Sequence, residues 1–322
     1  MKRFFIILPL ISALFLTFAS CKEIFFTTNG RAWATSYHII YRGPKNLDDS
    51  IREVIAVIDN ELSLFNPNSE VSAINDGLTD TVGDHFCEVF EISRRVNELS
   101  SGCYDVTIGP VAELWGFGRS NSAAVNDSMI AKALESVGMA ECSLSGKRVV
   151  KKSPLTRFDF SSVAKGYGID CIADMFERNG VNDYLIEIGG EVAVRGTNRD
   201  GRQWHIQIDS PEGGIGHKAL AIKALGPERM AIASSGNYRN FRQDSTGTTY
   251  GHTLSPLTGR PTSSSVVAAT VLHPSCAFAD ALATACMASG CADSAVAIIE
   301  RAEAKALIVD IDKGVINMGV LE

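Results

Sequence analysis

Helix-like and strand-like spacings come in blocks along this chain rather than in strict alternation, and that arrangement limits the folds open to it. Apolar residues at Ile51, Val54, Ile55 and Ile58 share one helical face within Asp48–Leu62. His85–Leu99 repeats the pattern with Phe86, Val89, Phe90, Ile92 and Val96, and Ser128–Val137 reads as a third helix. After Ala164–Arg178, a fourth helix that stops at Asn179-Gly180, short strand-like runs take over. They are Tyr184–Ile188, Glu191–Arg195, Trp204–Ile208, Ala219–Ala224, Met230–Ser234, Tyr238–Arg242 and Ser265–Leu272. Two helices, Phe278–Ser289 and Ala292–Arg301, and a hairpin of Ala306–Asp310 and Val315–Met318 close the chain. Earlier, Ala34–Tyr41 and Arg157–Phe160 are strand-like. Blocks of this kind imply an α+β fold with a meandering antiparallel sheet, not a doubly wound parallel one.

The first 20 residues stand outside that fold. Lys2 and Arg3 precede an apolar run from Phe4 to Phe18, and Ala19-Ser20 lead to Cys21. This is the layout of a cleaved export signal, too short for a membrane span. A Cys directly after small residues at the end of such a run is expected to become the lipidated first residue, with several acyl chains that anchor where one would not; an ordinary secretory peptide with an incidental Cys is the alternative. Residues 21–30 then read as a tether and 31–322 as one domain. The net charge is −7, or −9 once Lys2 and Arg3 are removed, so a basic nucleic-acid footprint is absent. Eight cysteines include no C-x-x-C pair, which argues against a zinc ribbon or thioredoxin-like site.

Three stretches are richer in polar residues and glycine than packing needs. Gly102–Pro110 places Asp105 and Thr107 on one side of a short strand before a Gly109-Pro110 turn. Asp159–Gly168 leads small residues into a helix, where backbone N–H groups attract anions and Lys165 adds a movable charge. Neither P-loop nor G-x-G-x-x-G spacing is present. His252–Pro261 is followed by Ala279–Thr284, in which Asp280 and Thr284 share a helix face and offer hard oxygen donors suited to Mg²⁺. In isolation such a pair also fits a helix-capping Asp beside a Thr bonded to its own backbone, and His252 equally fits a structural hydrogen bond.

In combination these stretches resemble the FAD:protein FMN transferase family, the ApbE-type flavin transferases. The matching blocks are Ser63–Asn75, Asp105–Pro110, Ala164-Lys-Gly, Glu187-Ile-Gly-Gly-Glu191, Ser234-Ser-Gly236, His252–Pro261 and Ala279–Thr284, in order. The resemblance implies a T-fold-like domain with a flavin-dinucleotide site and bound Mg²⁺. Asp280, Thr284 and the Ala164 carbonyl would hold the metal, with Ser162 competing for the last position. Tyr104, Asp105, Val106, Asp159, Lys165 and Leu254 match positions that line FAD. Phe65 replaces the Tyr that stacks on the isoalloxazine, and Trp33 stands where the family has a Met. His252 is the implied base, with Asp105 to orient it and Lys165 on the phosphates. The implied reaction joins FMN to a protein threonine or serine and releases AMP. By the same resemblance the acceptors are flavoprotein subunits of sodium-pumping NADH:quinone reductase or Rnf-type complexes, met in the periplasm. An Mg²⁺-dependent FAD pyrophosphatase and a non-catalytic flavin-binding lipoprotein are the alternatives.

Overall fold

The computed structural model describes residues 24–118, 125–211, 219–236, 241–243, 249–251 and 253–321. The chain opens with a hairpin of β1 (Ile24–Ala32) and β2 (Thr35–Gly43), whose register pairs Ile24 with Gly43 and Ala32 with Thr35. Residues 24–30 are therefore strand, not tether. The connecting turn is Trp33-Ala34, with φ of 48° and 63°. Asn-Gly is the usual occupant of a two-residue turn with both centres left-handed, so the hairpin carries no familiar turn signal.

Four helices follow: α1 (Asp48–Leu62), α2 (Glu70–Asn75), α3 (Asp84–Leu99) and α4 (Gly109–Leu114). Gly109-Pro110 does not close a strand but opens α4, where Pro in the first turn loses no hydrogen bond. After α5 (Asp127–Leu134), a small hairpin pairs β3 (Ser143–Ser145) with β4 (Arg148–Val150). Next come α6 (Ala164–Arg178), β5 (Asp183–Ile188) and β6 (Glu191–Arg195). A hairpin of β7 (Trp204–Asp209) and β8 (Ala219–Leu225) precedes β9 (Met230–Gly236). Two short pairs follow, β10 (Phe241–Gln243) with β11 (Thr249–Gly251) and β12 (Leu254–Ser255) with β13 (Arg260–Pro261). The chain ends with β14 (Val266–His273), α7 (Cys276–Ala288), α8 (Ala292–Arg301), β15 (Lys305–Asp310) and β16 (Gly314–Met318).

Eight strands form one sheet in the order β1-β2-β5-β6-β9-β14-β15-β16, with antiparallel pairing throughout. The α+β expectation holds. One face of its centre is covered by α7, which is buried along its whole length except at Thr284. A helix apolar all round belongs in a core. Small side chains at Ala231, Ala233, Ala269, Ala277 and Ala281 accompany that contact, and buried Phe278 and Leu282 contribute about 1.5–3 kcal/mol each. The other face is covered by the β7–β8 hairpin, whose Trp204, Ile206, Ile208 and Leu225 pack on Val192, Val194, Ile232 and Leu272. Between that hairpin and the loops before α4 and α6 a cleft opens, at the end of β9.

Candidate active site

The cleft encloses about 940 Å³, within the range of small-molecule and cofactor sites. Its floor is the crossing of α6 and α7. A Cβ on Gly166 would stand 2.5 Å from the Cys276 carbonyl oxygen, so the helices meet backbone to backbone and only glycine fits there. The Gly166 N–H donates to Asp280 Oδ2 at 3.2 Å. Asp170, one turn along α6, secures the start of α7. Its carboxylate accepts from Cys276 N at 2.9 Å, Ala277 N at 2.9 Å and Ser275 Oγ at 2.7 Å, and pairs with Arg229 at 2.7 Å. Ser275 caps α7 through Phe278 N, so Asp280 does not cap its own helix; its Oδ2 serves a first-turn N–H of α6 instead. Thr284, a turn further on, meets Ser235 Oγ at 3.3 Å.

Lys165 faces this pair. Its Nζ lies 2.6 Å from Glu191 Oε1 and 3.8 Å from Asp280 Oδ2. Burial alone would lower the Lys165 pKa, but Asp280 and Glu191 outweigh it and hold the ammonium above its ordinary value. Burial pushes Asp280 up, against the pull of Lys165 and with the help of Glu191. Glu191 is 4% exposed and its Oε2 has no hydrogen-bond partner. Two carboxylates facing one ammonium leave the floor short of one positive charge. Oxygen donors from Asp280, Thr284 and Glu191, with one oxygen orphaned, fit a small hard cation such as Mg²⁺. Among the described residues no cluster of three or more His, Cys, Asp and Glu side chains is arranged for a metal, so a cation here would need hydroxyl, backbone or substrate oxygens as well.

The wall is built from loops locked by side chains. Asp105 lines the cleft, yet Oδ1 accepts from Thr107 N at 2.8 Å and Thr107 Oγ1 at 2.6 Å, and Oδ2 accepts from Met139 N at 2.8 Å. This is a turn, not the strand expected around Asp105 and Thr107, and its carboxylate holds the loop together. Burial raises the Asp105 pKa against those donors. Tyr104 is buried, and its hydroxyl accepts from Ser162 Oγ at 3.1 Å. Asp159 donates its N–H to Val106 O at 2.7 Å and accepts from Ser161 N at 2.9 Å.

The cleft therefore gathers Phe65, Tyr104, Asp105, Asp159, Ser162, Lys165, Leu254, Asp280 and Thr284 from the sequence-predicted set. Phe65 is 70% exposed, at the rim rather than in the core. Val106 is buried behind the wall, and neither it, Ala164 nor Trp33 is among the lining residues. The Trp33 ring packs where a Cβ on Gly168 would be. His252 and Cys21 lie outside the described residues. Glu191 and Asp170 carried no assigned role in the sequence. Glu191 closes the Glu187–Glu191 block, whereas Asp170 resembles any polar helix residue.

The mixed antiparallel sheet with its covering helices is a fold shared with solved flavin transferases. The structure is similar to the flavin transferase ApbE from Vibrio cholerae, with a TM-score of 0.80 at 31% identity, covering 91% of this chain and 96% of that one. It matches the apo form of the Pseudomonas stutzeri flavinyl transferase ApbE with a TM-score of 0.81 at 28% identity, covering 92% and 96%. In sequence it is 34% identical to the FAD:protein FMN transferase of Vibrio cholerae serotype O1, over 81% of this chain and 80% of that protein. It is 30% identical to that of Haemophilus influenzae, over 95% and 93%. The ApbE family model matches residues 33–308. The chain belongs to the ApbE family.

Proposed function

We propose that this protein is an FAD:protein FMN transferase that joins FMN to a serine or threonine hydroxyl of an acceptor flavoprotein, releases AMP and depends on Mg²⁺. The observation that carries the metal dependence is the charge of the floor. Asp280 and Glu191 outnumber Lys165, and FAD brings a doubly anionic pyrophosphate. Like charges at that range disfavour binding unless a divalent cation joins them. Asp280 and Thr284 would hold the cation, with the Ala164 carbonyl as the third protein donor. When bound, it supplies Lewis-acid polarisation of the bond to be broken.

The remaining work falls to side chains. Lys165 is fixed by Glu191 and presents a permanent positive charge to the phosphates. Tyr104, Asp159 and Leu254 shape the wall against which the dinucleotide lies, and Phe65 offers an aromatic face at the rim. His252 directly precedes Thr253, a cleft-lining residue, and is our candidate base. It takes the acceptor hydroxyl proton as that oxygen bonds to the FMN-side phosphorus. The bond from that phosphorus to the bridging oxygen breaks, and AMP leaves with the electron pair.

We also propose, from residues 1–21, that the chain is exported and acylated at Cys21. The acceptors would then be periplasm-facing subunits of sodium-pumping NADH:quinone reductase or Rnf-type complexes. No helix among the described residues is long and apolar enough to cross a membrane, so anchoring would rest on Cys21. The test is incubation with FAD, Mg²⁺ and a candidate acceptor subunit, read by in-gel flavin fluorescence and product analysis. FMN on protein with AMP in solution is expected. Free FMN alone identifies a pyrophosphatase, and unchanged FAD a binding protein.

A further inference from the structure

In the strand register the two ends of the sheet carry different features. Ile24, the first residue of β1, pairs with Gly43, and that end also carries Asp183, Arg195 and Met230. The opposite end carries Ala32, Thr35, Ile188, Glu191 and Gly236. Gly189 N bonds to Ser36 O at 3.1 Å there, and Gly189, Gly190, Glu191 and Gly236 all line the cleft. The nine residues of β1 separate the two ends by roughly 25 Å at about 3.3 Å per residue. Cys21 lies only three positions before Ile24, so its Cα is confined to within roughly 11 Å of Ile24, whatever path the chain takes.

Resting on the acylation of Cys21 proposed above, we infer that the Ile24 end of the sheet is seated on the phospholipid headgroups while the cleft opens at the far end. The protein would then take its acceptor hydroxyls from domains that stand some 25 Å off the bilayer. The surface beside Ile24 suits that occupant. Ile24 is 51% exposed, Phe25 is half-buried under the Arg199 guanidinium at 5.7 Å, and Lys45 is exposed just beyond Gly43. Apolar and aromatic side chains flanked by cations fit the boundary between acyl chains and anionic headgroups.

The test is amide hydrogen exchange on the full acylated chain in vesicles of phosphatidylethanolamine and phosphatidylglycerol, compared with the Cys21→Ser chain in solution. Exchange is expected to slow several-fold in residues 24–27, 43–46 and 197–203, with the rim around Phe65 unchanged. Inserting about a dozen Gly and Ser residues after Glu23 would let the body lift by roughly 20 Å. It should erase that protection and leave FAD turnover with a soluble acceptor within twofold. Protection along all of β1, or at the cleft rim, in an acylated chain overturns the seating alone. An N-terminal peptide mass showing Cys21 unacylated overturns the seating together with the anchor, and leaves the flavin chemistry standing.

Discussion

Asp280 is 3% exposed and Phe65 is 70% exposed, yet both face the same cleft. The floor around Asp280 is held by buried charge and by direct backbone contact between α6 and α7. The Phe65 ring at the rim is largely open to solvent, and its loop is tied locally, Asn66 to Asp59 and Asn60 and Ser69 to Ser63. Such a difference separates two jobs. A carboxylate proposed to hold a cation against the pyrophosphate is fixed by the core, whereas a ring that would meet a planar ligand from solvent can adjust as it binds. Substitutions in the floor should thus disturb stability and chemistry together, and substitutions at the rim should redirect products without touching stability.

Asp280→Ala should have the largest effect, a loss of turnover of roughly a hundredfold or more, because it removes the one charged side chain of α7, which we propose holds the metal. Thr284→Ala should be milder, since water replaces a neutral oxygen. Turnover across a magnesium titration measures both, and full activity of Asp280→Ala would sink the metal assignment. Asp170→Ala comes next. It leaves the Cys276 and Ala277 N–H groups of α7 without their acceptor, while Arg229 keeps Asp174 and Glu177, and each buried donor left unmade costs about 1–3 kcal/mol. A lowered melting temperature with weakened magnesium dependence is expected; a lowered melting temperature alone would reduce Asp170 to a stability residue.

Gly166→Ala forces a methyl group against the Cys276 carbonyl and should cost about 1–3 kcal/mol. By prising α7 from α6 it should also raise the magnesium concentration needed for half-maximal turnover. Phe65→Ala should be the smallest change in stability, within about 0.5 kcal/mol, and should raise the ratio of free FMN to protein-bound FMN, because water tolerates a loosely held flavin better than a protein hydroxyl does. Phe65→Tyr should leave transfer intact. Both products measured in one reaction beside a melting curve decide the matter, and an equal fall in both products would remove the contrast between rim and floor.

Helices with a clean apolar stripe were legible in the sequence. The bounds of α1, α6 and α8 agree with their spacing because one face of each meets a core. Arg157–Phe160 has the alternation of a strand without a strand's ladder. Phe158 and Phe160 point into the core against Phe86, but the Phe158 backbone is bonded on both its N–H and C=O by the Asn75 side chain, at 2.7 and 2.8 Å. An amide side chain there does what a neighbouring strand would do, and period alone cannot tell the two apart. The first hairpin escaped notice because Trp33-Ala34 is an atypical turn, and α2 and α4 because six residues hold too little periodicity. Of the site, Asp280, Thr284 and Lys165 were legible through the family blocks. The partnership of Lys165 with Glu191, and of Asp170 with the start of α7, was not, since each joins residues far apart in sequence whose types are unremarkable alone.

The placement of α7 so late in the chain has a consequence for biogenesis. Its contacts reach back to α3, α6, β9 and β14, so it can dock only after most of the protein has been made. A nascent chain that has emerged as far as β14 possesses the sheet's centre and much of the cleft wall, but neither Asp280 nor Thr284. A cleft floor that carries Asp280 and Thr284 is thereby tied to the synthesis and docking of α7 rather than to the earlier strands that form its wall.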